Sequence, residues 1–371
     1  MIKLLRKLGY FPRLAVWELT LACNLNCRHC GSRAGKARDD ELTTEEALRL
    51  CEDLAALKCR YLTLGGGEPL ARPDWPELAE KLVSLGVNVN MVSNGRAWTH
   101  ETTLTAKRVG LESVAFSIDG LEETHEYIRR VKGHWRHLLK VIDDCKKEGL
   151  TPSVITMVNR RNLHELEALR DILTEHQVER WQIQLGIPSG NMTDHPDLVI
   201  HPEDVLEMVP TVARMCREKK GPKVYPGHNV GYFGQPEEDL RDKGDAIPFW
   251  VGCNAGCSVI GIESNGNIKG CLSLPSAMNH VDAFVEGNIR QTPLAEIWNR
   301  PGAFAYNREF CVEQLQGFCR TCDYAEICRG GCAWTAFSQT GSRNDNVFCY
   351  YRQLKIKEQR DAERVSGAAA D

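Results

Sequence analysis

Three cysteines, Cys23, Cys27 and Cys30, follow one another in the spacing C-x3-C-x2-C. Thiols this close in sequence are metal ligands by type, yet a structural zinc site and a fully ligated iron–sulfur cluster each take four protein ligands. A set of three leaves one position open, and an open position is where a metal centre acts on a molecule other than its own protein. Further along stand Gly66, Gly67, Glu68 and Pro69. The glycines admit close backbone approach, the carboxylate accepts from an ammonium, and the proline fixes the exit from the turn.

Eight more cysteines crowd towards the C-terminus: Cys253, Cys257, Cys271, Cys319, Cys322, Cys328, Cys332 and Cys349. The run CRTCDYAEICRGGC carries four of them as C-x2-C-x5-C-x3-C, and GNIKGC ends on Cys271. Eight thiolates saturate two four-ligand sites, whether of zinc or of four-iron clusters. The other five of the sixteen (Cys51, Cys59, Cys145, Cys216 and Cys311) are scattered and read as small, mostly buried apolar residues.

A chain of 371 residues has room for a large core and an appended module. Its 42% hydrophobic and 26% charged content is that of a globular protein. A net charge of −4 gives no electrostatic footprint for nucleic acid. The start, MIKLLRKLGYFPRLAVWELT, is basic but lacks the apolar core of a signal peptide, and no apolar run reaches the length of a membrane span. The expectation is a cytoplasmic protein without membrane or nucleic-acid partners, whose clustered cysteines bind metal and do not form disulfides.

The elements that must position these residues alternate. Strands are predicted at 14–20, 61–64, 87–93, 113–118, 152–158 and 180–186. Helices are predicted at 43–58, where Thr43 and Glu46 make a capping box, and at 75–86, within 99–110, and at 135–148 and 163–175. Six β-α units imply a parallel sheet covered by helices, either an open doubly wound sheet or an incomplete barrel. In both, the working surface lies at the carboxyl ends of the strands. The cysteine triplet, the Gly-Gly-Glu-Pro turn, Ser93-Asn94-Gly95 and Asp119-Gly120 each follow a strand, and so share that face. Residues 187–250 lose the rhythm, with one helix predicted at 202–219, and the end, SGAAAD, reads as frayed.

The triplet after a first strand, with Gly-Gly-Glu-Pro after the second, resembles the radical S-adenosylmethionine (SAM) superfamily over at least residues 14–185. The eight later cysteines resemble its SPASM extension over about 250–350. The resemblance implies an α/β fold: a partial (β/α)6 barrel at 1–186, a bridging segment at 187–250, a loop-rich SPASM module at 251–350, and a C-terminal helix and tail at 351–371. It implies three [4Fe–4S] clusters. The first sits on Cys23, Cys27 and Cys30, with SAM on the fourth iron. The second takes Cys253, Cys257, Cys271 and Cys332, and the third Cys319, Cys322, Cys328 and Cys349. By the same resemblance Gly66, Gly67 and Glu68 meet the methionine amine of SAM and His29 stands beside the adenine. Ser117 and Arg129 bind the carboxylate and ribose region, with Arg130 an equally basic neighbour, and Asn94 is a further candidate.

The function so implied is reductive cleavage of SAM to a 5′-deoxyadenosyl radical that takes hydrogen from a substrate. A ribosomally made peptide, cross-linked, oxidised or epimerised, is the expected substrate. A small metabolite (tetrapyrrole, nucleoside or sugar) is the alternative, and a non-catalytic metal-binding protein is a third reading. Relatives that mature sulfatases carry an aspartate after the cysteine matching Cys271; here Leu272 stands there, which argues against that reaction. An electron donor such as flavodoxin or ferredoxin is implied. The short stretch before the first strand leaves no room for a leader-binding domain, so a peptide substrate would call for a separate carrier protein. Arg28, Arg33, Lys36 and Arg38 could meet an acidic leader, and His228 and Tyr232 could line a substrate path.

Overall fold

A computed structural model describes residues 9–241, 249–275 and 284–368. The basic start at 1–8 lies outside the described residues. The tail read as frayed is helical as far as Ala368, at the end of a helix beginning at Tyr350, and 369–371 lie outside the described residues.

The six predicted strands are present as β1 (Leu14–Thr20), β2 (Tyr61–Gly66), β3 (Asn88–Ser93), β4 (Ser113–Ser117), β5 (Thr151–Val158) and β6 (Arg180–Leu185), each parallel to the next. Helices α1 (Thr44–Ala56), α2 (Trp75–Ser84) and α3 (His100–Arg108) follow the first three strands. Two helices, α4 (Glu122–Arg129) and α5 (His134–Lys147), follow β4, and α6 (Leu166–Glu175) follows β5. Of these only α4 went unpredicted. It buries His125, Ile128 and Arg129, so it has no apolar stripe for periodicity to find.

The sheet continues past both ends of this repeat. Within 187–250, α7 (Val205–Glu218) leads into β7 (Lys223–Pro226), a seventh parallel strand beside β6. At the other edge β8 (Val259–Ile262) pairs parallel with β1, and β9 (Asn267–Lys269) and β10 (Gly287–Asn288) extend the edge antiparallel. These strands have only two to four residues, too short for a period-two pattern to register.

Alternation along the strands separates two faces. Trp17, Leu64, Met91, Phe116, Val154 and Ile183 are fully buried in a core shared with Leu50, Leu78, Leu138 and Leu169 of the helices. Their neighbours Val16, Thr63, Val92, Ser117, Ile155 and Gln184 border a single cavity of about 340 Å3. Six flat strands at their usual spacing would put the first and last roughly 24 Å apart. Side chains from all six can border one small cavity only if the sheet curls around it, which selects the incomplete barrel over the open sheet.

Arg290, just after β10, ties this edge to α1. Its Nε and Nη2 donate to the two Glu46 oxygens at 2.7 and 2.8 Å, and its Nη1 to Asp40 O at 2.8 Å. Glu46 also closes the capping box, accepting from Thr43 N at 2.9 Å. Arg290 and the Thr43 backbone hold the Glu46 carboxyl down at about 2. A depressed carboxyl stabilises the fold above its ordinary pKa and loses that contribution as pH falls through the folded value. Stability should therefore decline between about pH 4.5 and 2 in the native chain. Glu46→Gln should lose about 1 kcal/mol at neutral pH and show a shallower acid decline, read from urea midpoints across pH.

Candidate active site

The loop after β1 turns back on itself, with Cys23 N donating to Gly35 O and Gly35 N to Leu21 O, both at 3.0 Å. Cys23, Cys27 and Cys30 all border the barrel cavity. Each sulfur has a donor: Asn94 Nδ2 at 3.6 Å from Cys23, Arg129 Nη1 at 3.8 Å from Cys27, and Ala34 N at 3.4 Å from Cys30. Such donors favour thiolate and tune a bound metal. Burial pushes the Cys23 and Cys27 thiols up, with Arg129 opposing it at Cys27. Among the described residues no three His, Cys, Asp or Glu side chains stand close enough to hold a single ion.

The need for glycine in the β2 turn comes from this loop. Gly67 N donates to Thr20 O and Glu68 N to Ala22 O, both at 2.8 Å, so the two loops pack backbone to backbone. A Cβ on Gly66 would lie 2.4 Å from Thr20 O, and one on Gly67 2.3 Å from Ala22 O. Gly66 also sits at φ +123°, where a side chain is strained. Glu68 itself does not border the cavity. It is buried, and its carboxylate accepts from Ser93 Oγ and Asn94 N at 2.8 Å and from Leu70 N at 3.3 Å. It holds the β3 turn, and through it Asn94.

Asp119, which the sequence marks only as part of a turn, is the hub of the site. Its Oδ2 accepts from His29 Nε2 at 2.9 Å and Arg129 Nε at 2.7 Å, and its Oδ1 from Met157 N at 3.0 Å. Burial opposes its charge, but Arg129 and then His29 outweigh that and hold the carboxyl well below the usual range. Asp119 N donates to His125 Nδ1 at 3.1 Å, which leaves His125 Nε2 to donate to His134 Nδ1 at 2.9 Å. His134 Nε2 then donates to Asn94 O at 3.0 Å. Burial lowers both imidazoles, His134 to about 4, so the chain is neutral and runs one way from the β4 loop to the β3 loop.

His29, Gly66, Gly67, Asn94, Ser117 and Arg129 all border the cavity with the three cysteines. Arg129 faces inward and the exposed Arg130 outward, at the αL end of α4. His29 Nδ1 is buried without a hydrogen-bond partner among the described residues. The segment after β6 clamps the cysteine loop, with Asn191 N donating to Cys30 O and Asn191 Nδ2 to Cys27 O, both at 2.9 Å. Tyr232 does not line a substrate path. It is fully buried, donating to His228 O at 2.6 Å and accepting from Cys332 N at 3.0 Å.

The eight later cysteines fall into two groups in space. Cys253 acts electrostatically on Cys257, Cys271 and Cys332, while Cys319 and Cys322 act on Cys328 and Cys349. Burial pushes Cys332 and Cys349 up to about 12, so as free thiols they stay neutral and only a metal would hold them as thiolates. Arg343 Nε and Nη1 and Tyr306 Oη are buried without hydrogen-bond partners among the described residues. Both side chains feel Cys253 and Cys257 directly, and orphaned donors of this kind suit an anionic cluster.

A curled parallel sheet with three thiols around one cavity, followed by two further cysteine groups, defines an α/β protein built around clustered cysteines. Comparison with known proteins gives the family. Residues 17–173 match the radical SAM superfamily, and residues 253–323 match the iron–sulfur cluster-binding SPASM domain. The AdoMet-dependent heme synthase of Methanosarcina barkeri (strain Fusaro / DSM 804) is 30% identical over 355 residues, covering 93% of this chain and 98% of its own. Mycofactocin maturase MftC of Mycobacterium tuberculosis is 28% identical over 330 residues, 88% of this chain and 79% of its own. The structure of Streptococcus suis SuiB bound to S-adenosylmethionine aligns with a TM-score of 0.72 at 16% identity, covering 93% of this chain and 78% of its own. The chain belongs to the radical SAM superfamily, in the subgroup that carries a SPASM domain, and is an enzyme of that class.

Two substitutions test the geometry. Gly67→Ala presses a methyl against the Leu21 and Ala22 backbone, and should part the two loops, read as a lower Tm. Asp119→Asn leaves Arg129 buried beside a neutral amide and should destabilise by about 3 kcal/mol, seen as a lower urea midpoint.

Proposed function

We propose that Cys23, Cys27 and Cys30 hold a [4Fe–4S] cluster whose open position takes SAM, and that the enzyme removes hydrogen from a peptide substrate. When bound, that pair supplies reductive cleavage of SAM and a 5′-deoxyadenosyl radical that abstracts hydrogen. The observation that carries this reading is the shared cavity. Three thiols, each with its own hydrogen-bond donor, border one space with His29, Ser117, Asn94 and Arg129. A cavity of about 340 Å3 is of small-molecule size. The backbone of Gly66 and Gly67 meets the amine end of SAM, Ser117 and Arg129 the carboxylate and ribose region, and the buried His29 the adenine. Arg129 is already committed to Asp119 and Cys27, so it acts as a fixed positive charge at the edge of the site. Glu68 serves by position, fixing Asn94 near Cys23.

A second cavity of about 540 Å3 shares Gly31 and Gly66 with the first and reaches Trp334, two residues after Cys332. Its wall mixes charged and hydroxyl side chains, among them Glu18, Arg38, Ser32 and Ser273, with apolar ones, among them Leu21, Leu272, Leu274 and Trp334. A wall of that mixed character suits the varied side chains of an extended peptide, and supports the peptide reading. The second reading, a tetrapyrrole, is favoured by the similarity to a heme synthase along nearly the whole of both chains. In either case Cys253, Cys257, Cys271 and Cys332 hold one further [4Fe–4S] cluster and Cys319, Cys322, Cys328 and Cys349 another. A further opening at the cysteine loop, which shares Cys23 and Arg129 with the first cavity and is also bordered by Asn24, Arg96 and Arg130, supports the approach of an acidic electron donor such as a flavodoxin or ferredoxin.

The test is anaerobic reconstitution with SAM and dithionite, measuring 5′-deoxyadenosine with peptides encoded nearby and with coproporphyrins. Loss of two hydrogens from a peptide, or deuterium uptake at unchanged mass, supports the first reading as oxidation or epimerisation. Turnover of a porphyrin alone replaces it with the second. Alanine at all three of Cys23, Cys27 and Cys30 should abolish SAM cleavage and leave iron in the C-terminal module. Loss of all iron in that variant would count against independent cluster sites.

A further inference from the structure

The wall of the second cavity bears four charged side chains: Glu18 of β1, Arg38 of the cysteine loop, Glu263 after β8 and Lys269 of β9. Two acids and two bases cancel, so net charge does not say what the cavity takes. The donors still open to it do. Lys269 is 2% exposed, and its ammonium is spent on Leu272 O, Leu274 O and Glu263 Oε1. Arg28, Arg33 and Lys36 do not border the cavity, and are engaged by Tyr127 O, Asp194 and Asp39.

Arg38 differs. One edge of its guanidinium is fixed, with Nε and Nη2 both donating to Glu18 Oε1 at 3.2 and 2.8 Å and Nε also to Ser264 Oγ at 3.1 Å. Glu18 Oε1 accepts from Ser264 N and Oγ at 3.2 and 3.0 Å, so the anchor is itself held. Glu263 stands 4.0 Å from Nη2. Nη1 has no hydrogen-bond partner among the described residues, and the side chain is 28% exposed at the cavity wall. The Nη1/Nη2 edge of a guanidinium is a fork that matches a carboxylate with two parallel hydrogen bonds.

We propose that the outer edge of Arg38 binds a carboxylate of the substrate, fixing it in the second cavity next to the SAM site. This rests on the reading of that cavity as the substrate site. The same group occurs as a tetrapyrrole propionate and as an acidic side chain or C-terminus of a peptide, so Arg38 serves either substrate class. Glu18 acts through Arg38 as a positioning residue, because it orients the fork without occupying the open edge.

The test is equilibrium binding to the reconstituted holoenzyme in the presence of SAM. The probes are coproporphyrin III against its tetramethyl ester, and a short glutamate-containing peptide against its glutamine counterpart. A bidentate charged pair should favour the acid form by about ten- to hundredfold in one of the two pairs. The pair that shows the preference names the source of the carboxylate. Arg38→Gln should erase the preference, and Arg38→Lys, which keeps the charge without the fork, should keep part of it. Equal binding of acid and neutral forms by the unmodified enzyme in both pairs, or a preference that persists in Arg38→Gln, overturns the proposal. The unmodified enzyme needs no substitution to fold, so that comparison stands even if a variant is unstable. Formation of 5′-deoxyadenosine in the same preparation separates the two failures: its absence sinks the proposed function, and its presence without carboxylate preference sinks this inference alone.

Discussion

A buried carboxylate on which an arginine, a histidine and a backbone amide converge sets the terms for the whole site. Asp119 is 1% exposed, and a bare charge there would carry a desolvation penalty of several kcal/mol. It is tolerable only because Arg129 and His29 are there, and they are held in place by the same interaction. That mutual dependence brings α4 to the cysteine loop, puts a guanidinium against Cys27, and starts the histidine chain that ends on Asn94. Three loops that follow β1, β3 and β4 are thus fixed to one another by polar contacts, while apolar packing holds the strands that carry them.

The local chemistry was legible in the sequence where a residue acts alone or through its neighbours. The capping box of α1, the six long strands and the cysteine spacings all depend on short-range pattern. Asp119, His125 and His134 were not legible as a unit, because they lie on a loop and two helices and meet only once α4 and α5 pack against the end of β4. Glu68 shows the opposite difficulty. Its motif stood out, but the sequence could not say that its carboxylate turns inward to Ser93 and Asn94 while the glycines before it face the β1 loop. β7, β8 and the two antiparallel edge strands are short, and are selected by the open edges of the sheet and not by their own residues.

Similarity to proteins named for a heme and for mycofactocin is what this division of labour would give. Gly66, Gly67 and Asp119 answer to backbone and charge next to the cysteine loop. The wall of the second cavity answers to whatever enters it. It draws Glu263, Lys269, Leu272 and Trp334 from the C-terminal part of the chain, while the first cavity is bordered by residues of the six-strand repeat.

The two later cysteine groups interleave along the chain. Cys332 completes the first group only after Cys319, Cys322 and Cys328 of the second have been passed, and Cys349 completes the second. Neither group is complete on a ribosome-bound chain until Cys332 and then Cys349 have emerged, and β8, which closes the edge of the sheet against β1, begins only at Val259. Biogenesis of this protein is therefore back-loaded: a nascent chain stalled before Cys332 presents a row of reduced thiols with no complete site to bury them.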